Sequence, residues 1–503
     1  MGNSRDGDPR ITRLLDALTS PACADMVEMV LHSPAEHNYH ATAPDGSVSF
    51  ERVSSGRGWD YRVTAVQGRD PLAERDTGAF VGLANEIADV FPDRTANSYP
   101  HAYDSIAQFF DSPHAPDLLA THTSRHFVEG YLGQHGSLGA VQARAPFIAS
   151  GAGIRALGTV DRSTRVVNIA PTLAALMGVE AHPDGVGSNG LPDEGALLLR
   201  QDGVVEVDIL DGRVARHVVV VLLDGCNANL LAAVIEAGEA PHMATMVADG
   251  MMFGRGSMAS LPTATLANHT TALTGAHPGH SGVLHNAWVE RSTNGKGHSE
   301  VDLLDLQQMW WASARVGTDV ETLFEAVSRT RPGAFTSAGF EFCDRGASFS
   351  TFALVRDGDA SSLPEPDDVR HIDADAAADE QYGFMSRVDH LSLIHTLDCW
   401  NGAHGNELPT LSWCSLALTD TAGHASGPHG NPARAAVRDS DARIGELMAA
   451  VERAGVREDT AFVVIADHGM EQADPTVDAT WDAALAATGI PHSDVGGGLI
   501  YLE

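Results

Sequence analysis

Two apolar runs, each ending in an acid, constrain this chain most. His217–Leu223 (HVVVVLL) is continuous, largely β-branched, and runs into Asp224-Gly225. Thr460–Ala466 (TAFVVIA) repeats the pattern and runs into Asp467-His468-Gly469. A run without polar alternation predicts a strand buried on both faces of a parallel sheet. Helical patterns lie between the two: Leu230–Gly250, and Ala433–Ala454 with Val437, Ile444, Leu447, Met448 and Val451 on one face. Strands alternating with helices predict an α/β fold, a mostly parallel central sheet sandwiched by helices. Ligands in such sheets sit outside the carboxyl ends of the strands, where both acids fall.

Composition narrows the function. The chain has 503 residues, 43% of them hydrophobic, which excludes disorder as its main state. Its 67 acids against 32 Lys and Arg leave a net charge of −35, with Lys296 the single lysine. Such a surface repels polyanions, so no nucleic-acid partner is expected. The first ten residues have no secretory pattern, and no apolar run approaches a membrane span. Five cysteines without a paired spacing predict no disulfide framework and a cytoplasmic location.

Residues 1–35 read as helical, through Leu14, Leu15, Leu18, Met26, Val27, Met29 and Val30. A strand pair follows, Tyr39–Thr42 and Ser47–Val53, turning at Asp45-Gly46. The Gly-, Asp- and Pro-rich stretch 181–213 is the best internal boundary. It separates a segment 1–200 from a segment 201–503, which together are expected to form one structural domain.

Four segments carry the chemistry: Asp224-Gly225; Leu261–Asn286 (LPTATLANHTTALTGAHPGHSGVLHN); Thr419–His429 (TDTAGHASGPH); and Ala466–Met470 (ADHGM). Three Asp and two His near strand ends make a ligand set of mixed oxygen and nitrogen donors for two ions, suited to Zn²⁺ or Mn²⁺. In their order these segments resemble the alkaline phosphatase superfamily, in its type I phosphodiesterase/nucleotide pyrophosphatase branch. The similarity covers residues 217–470.

The resemblance implies a role for each matched position. Thr265 matches the nucleophile, and Asn286 matches the residue that holds a non-bridging phosphoryl oxygen. Asp224, Asp467 and His468, with Thr265 itself, match the ligands of one divalent ion. Asp420 and His424 match two ligands of a second. The other histidines of the nucleophile segment, His269, His277, His280 and His285, have no family role and read as packing or surface residues.

The second ion lacks a histidine in the expected place, because only His492 follows His468. Gln134-His135-Gly136-Ser137, Arg144–Gly153 and Asn168–Gly178 resemble the family's closing segments, yet they precede the nucleophile. A circularly permuted chain is inferred, with His135 as the third ligand of the second ion. His492 is the rival, and an unrelated domain over 1–200 is the alternative architecture.

Residues 287–410 are expected to cap the substrate pocket. Trp288, Trp310, Trp311, Phe340, Phe342 and Phe349 are candidate platforms, and Lys296, Arg345 and Arg356 candidate anion partners. The resemblance implies a hydrolase of phosphodiester or pyrophosphate bonds, acting on a small phosphorylated substrate through a covalent Thr265 intermediate and two divalent ions, most simply Zn²⁺. Phosphonoacetate hydrolysis and phosphomonoester hydrolysis are alternatives on the same site. From another class, the chain would be an inactive metal-binding or interaction protein.

Overall fold

The computed structural model describes residues 8–125, 130–291, 298–358, 363–405, 407–477 and 480–503. Lys296 lies outside them. An eight-stranded sheet runs in the order Phe349–Ser350, Thr336–Gly339, Leu411–Leu416, His217–Leu223, Thr460–Ile465, Phe147–Gly151, Met251–Phe253, Gly158–Val160. The first five strands are mutually parallel. Phe147–Gly151 is antiparallel to both neighbours, and the outermost pair is parallel again. This is the mostly parallel α/β sheet expected.

All seven residues of His217–Leu223 are buried. Val218, Val220 and Leu222 join one core, beneath Ile169–Met177, Thr265–Thr274 and Leu323–Thr330. Val219, Val221 and Leu223 join the other, beneath Ala228–Glu236, Pro241–Asp249, Glu380–Trp400 and Asn431–Arg453. Helices on both faces remove any need for polar alternation. Each Val or Leu so buried contributes about 1.5–3 kcal/mol.

A second sheet has seven antiparallel strands: His492–Asp494, Leu499–Leu502, Leu118–His122, Val27–Ala35, Asn38–Ala43, Gly46–Ser55 and Gly58–Gly68. The Asp45-Gly46 turn sits where expected, but the region before it differs. Helix spans only Pro9–Leu18, and Val27–Ala35 is a strand. Pro21 falls in the turns that stop the helix. The helical look of Met26–Val30 arises because this strand too is covered on both faces: Val27 and Val30 pack in one core, Met29 and Leu31 in another. Leu230–Gly250 likewise divides into two helices, the second beginning at Pro241.

Segments 1–200 and 201–503 contribute strands to both large sheets. The Arg10 guanidinium donates to the Glu503 carbonyl at 3.0 Å. The 287–410 segment is only partly peripheral, since Thr336–Gly339 and Phe349–Ser350 are strands of the central sheet and Glu380–Trp400 covers it. All five cysteines are buried, and none is in a disulfide. Among the described residues no helix is long and apolar enough to cross a membrane.

Candidate metal centre and nucleophile

Strand register brings the acids together. Leu222 pairs with Ile465 and Leu223 with Leu416, so the three central strands end at one level. Asp224 follows the first, Asp467 the second, and Leu418–Ser426, carrying Asp420 and His424, the third. Gly225 adopts φ +59°, and a Cβ there would come within 2.4 Å of Asp420 Oδ1. Only glycine lets the backbone turn so tightly against a carboxylate. Its N–H donates to Asp467 Oδ1 at 3.0 Å, and the Thr419 hydroxyl donates to the Asp224 carbonyl at 2.5 Å. Behind them, the Asp389 carboxylate accepts the Ala417 N–H at 2.7 Å, anchoring the start of the Asp420 helix.

Thr265 is the first residue of the helix Thr265–Thr274. Its Oγ1 lies 3.5 Å from Asp224 Oδ1 and 3.3 Å from His468 Nε2. Asn286 accepts the Leu266 N–H at 3.0 Å through Oδ1, which sets its carboxamide beside the nucleophile position.

The N-terminal segment reaches the same place. The Gly136 N–H donates to Thr263 Oγ1 at 2.8 Å, and that hydroxyl donates to the Ser137 carbonyl at 2.9 Å. His135 Nδ1 donates to the Thr263 carbonyl at 2.7 Å. His424 Nδ1 donates to the Gly133 carbonyl at 2.7 Å, and His468 Nδ1 to that of Gly469 at 2.9 Å. A carbonyl only accepts, so each bond keeps a proton on Nδ1 and turns Nε2 inward as a lone pair.

The inward donors form two groups. His135 Nε2 lies 3.1 Å from His424 Nε2 and 3.6 Å from Asp420 Oδ1, and His424 Nε2 lies 3.4 Å from Asp420 Oδ1. His468 Nε2 lies 3.1 Å from Asp467 Oδ2 and 3.8 Å from Asp224 Oδ1. An ion held at about 2.0–2.2 Å by each donor needs donor separations of about 3–4 Å. Asp420 Oδ1 and Asp467 Oδ2 are buried without hydrogen-bond partners. Burial, with Asp467 and Asp420 beside it, holds the Asp224 carboxyl well above the usual carboxylate range. Burial and the neighbouring His468 and His424 hold His135 well below the usual imidazole range. Converging lone pairs and unpartnered carboxylate oxygens are costly until a cation joins them, so the residues present fit two divalent ions.

The structure brings all eight predicted residues, Asp224, Thr265, Asn286, Asp420, His424, Asp467, His468 and His135, to this centre. It does not bring His492, whose Nδ1 donates to the Ile490 carbonyl in the second sheet. His269, read as a packing or surface histidine, is buried, with Nε2 3.9 Å from both Asp224 Oδ2 and Asp467 Oδ2. Its spacing, four residues after Thr265, puts it on the same helical face. Trp288 is buried in the core and Trp311 is 58% exposed. Phe342 meets the His269 ring edge-on at 5.1 Å. Arg345 is held by Glu325 and by the carbonyls of Val316 and Gly317, and Arg356 by Asp344 and the Trp310 carbonyl.

Glu471 closes the segment. Its backbone pairs with Gln134, its carboxyl accepts Gln142 Nε2 at 2.7 Å, and burial pushes its pKa up to about 8. A raised carboxyl pKa in the fold means stability is lost as pH rises from the unfolded value, near 4.5, toward 8. Glu471→Gln keeps the shape without the ionisation. Its melting temperature should therefore exceed that of wild type by a margin that widens from pH 5 to pH 8, where the stability difference is on the order of a few kcal/mol. A gap that does not change with pH would refute this.

The type I phosphodiesterase / nucleotide pyrophosphatase family model matches residues 218–502, more than half of the chain. The chain belongs to this family. No curated protein matches it in sequence. Among solved structures, murine ectonucleotide pyrophosphatase / phosphodiesterase 5 is similar at 16% identity and TM-score 0.35, over 50% of this chain and 57% of that one. Phosphonoacetate hydrolase from Sinorhizobium meliloti 1021, in complex with phosphonoformate, is similar at 20% identity and TM-score 0.33, over 51% and 57%. The chain thus spans little more than half the length of these relatives. His135 lies outside the matched residues, and only its geometry links it to the centre.

Proposed function

We propose that this protein is a two-metal hydrolase of phosphodiester or pyrophosphate bonds in small phosphorylated substrates, with Thr265 as nucleophile. The observation that carries the reading is the convergence of Asp224, Asp420, Asp467, His135, His424 and His468 into two adjoining donor groups, with the Thr265 hydroxyl within 3.5 Å of Asp224 and His468. Asp224, Asp467, His468 and Thr265 would hold one ion, and Asp420, His424 and His135 the other. The donor set suits Zn²⁺ best and Mn²⁺ next. Such ions, when bound, would lower the pKa of the Thr265 hydroxyl and offset charge on the phosphoryl oxygens.

Thr265 Oγ1 forms a bond to phosphorus as the bond to the leaving oxygen breaks, and its proton passes to solvent. Water then cleaves the Thr265–phosphorus bond and regenerates the hydroxyl. Asn286 and the N-terminus of the Thr265–Thr274 helix orient the phosphoryl oxygens. Phe342 borders the centre as a platform for a base or other apolar group. The engagement of Arg345 and Arg356 with protein partners favours a diester over phosphonoacetate, whose carboxylate needs a cation.

We read the architecture as one domain whose closing segments have moved to residues 1–200 by circular permutation. The strands that both segments lend to the same two sheets support that reading.

One panel tests the function: bis-p-nitrophenyl phosphate, p-nitrophenyl phosphate, a dinucleotide and phosphonoacetate, on metal-loaded protein with and without chelator. Diester or dinucleotide turnover abolished by chelator is expected. Turnover indifferent to chelator refutes the metal mechanism, and an intact metal centre with no turnover favours a binding protein.

A further inference from the structure

We infer that His269 is an additional ligand of the ion held by Asp224 and Asp467, oriented by Glu341; this rests on the metal-centre reading above. His269 Nε2 lies 3.9 Å from Asp224 Oδ2 and 3.9 Å from Asp467 Oδ2. Direct N–H···O bonds run at about 2.7–3.2 Å, so these are not hydrogen bonds. The separations are those of donors sharing one ion, and the three side chains form a compact donor group. The residue is 0% exposed, yet Nε2 has no hydrogen-bond partner. A buried polar nitrogen left unpaired costs about 1–3 kcal/mol, and coordination removes that cost.

The opposite nitrogen explains the ring's orientation. His269 Nδ1 donates to Glu341 Oε2 at 2.9 Å. Glu341 is itself 0% exposed, and accepts the Cys343 N–H at 2.9 Å and the Ser415 hydroxyl at 2.7 Å. The proton is thereby kept on Nδ1 while Nε2 faces the two aspartates. His135, His424 and His468 are arranged the same way, with carbonyls in place of the carboxylate. A carboxylate behind a ligating imidazole makes it a stronger donor and fixes its tautomer. The nucleophile and this ligand then sit one helical turn apart, so Thr265 and the ion beside it are positioned by a single rigid element.

The test loads wild type, His269→Gln and Glu341→Gln with Co²⁺. It reads ions bound per chain, affinity against a competing chelator, and the cobalt visible spectrum, with thermal melting of each metal-free protein as the folding control. Two ions in wild type are expected. His269→Gln should weaken one of them by about 100-fold or more and change the spectrum, and Glu341→Gln should weaken the same ion by about 10–100-fold. If wild type binds two ions and His269→Gln leaves affinities and spectrum unchanged, this assignment is overturned and the metal centre stands. If wild type binds no ion, the metal-centre reading fails and the assignment with it. Should His269→Gln not fold, Glu341→Gln decides, and unchanged affinity and spectrum there overturn the inference.

Discussion

A Thr265→Ala variant is expected to bind both ions and to turn over diesters about 10⁴-fold more slowly than wild type. The size follows from what is lost. The hydroxyl at the helix start lies within 3.5 Å of both Asp224 and His468, where an ion held by them would activate it. Without it, only uncatalysed water attack on a bound, polarised phosphoryl group remains. Alanine suits the first turn of a helix, so the fold should persist. Initial rates measure the loss, and mass spectrometry of acid-quenched protein reads the intermediate: a phosphoryl or nucleotidyl adduct on wild type, none on the variant. Undiminished turnover, or an adduct on Thr265→Ala, would remove Thr265 from its role.

The second large effect comes from outside the matched region. His135→Ala should bind one ion tightly instead of two and lose about 10³-fold in kcat/KM, because an ion opposite developing charge supplies several kcal/mol. His424 would keep its bond to the Gly133 carbonyl, but the second ion would retain only Asp420 and His424 among its three donors. Metal analysis after dialysis against a weak chelator is the direct readout. Two ions retained at full affinity would return His135 to a structural role and withdraw the main support for permutation. His492→Ala is the matched control and should change neither quantity, since its ring lies in the second sheet.

Much of the centre was legible because its residues are locally marked. An apolar run that stops at Asp224-Gly225, and another that stops at Asp467-His468-Gly469, encode both the strand and the acid at its end. His135 was legible only through its His-Gly-Ser setting, and its neighbours in space come from Thr263 and His424, 128 and 289 residues away. The place of His269 beside Asp224 and Asp467 was not legible. Three other histidines lie within the same segment, and what distinguishes this one is Glu341, 72 residues on. The strand at Val27–Ala35 was misread for a related reason: burial on both faces erases the alternation that marks a strand.

By itself, then, the amino-acid order determined the parallel α/β core, the acids at its strand ends and the family, because apolar periodicity and short motifs are local properties. Tertiary structure decided which histidines share a centre with those acids and how each ring is turned. It also decided that the first 200 residues lend strands to the same two sheets as the rest. Those outcomes depend on strand register and on hydrogen bonds between distant segments, which settle only when both faces of the sheet are packed.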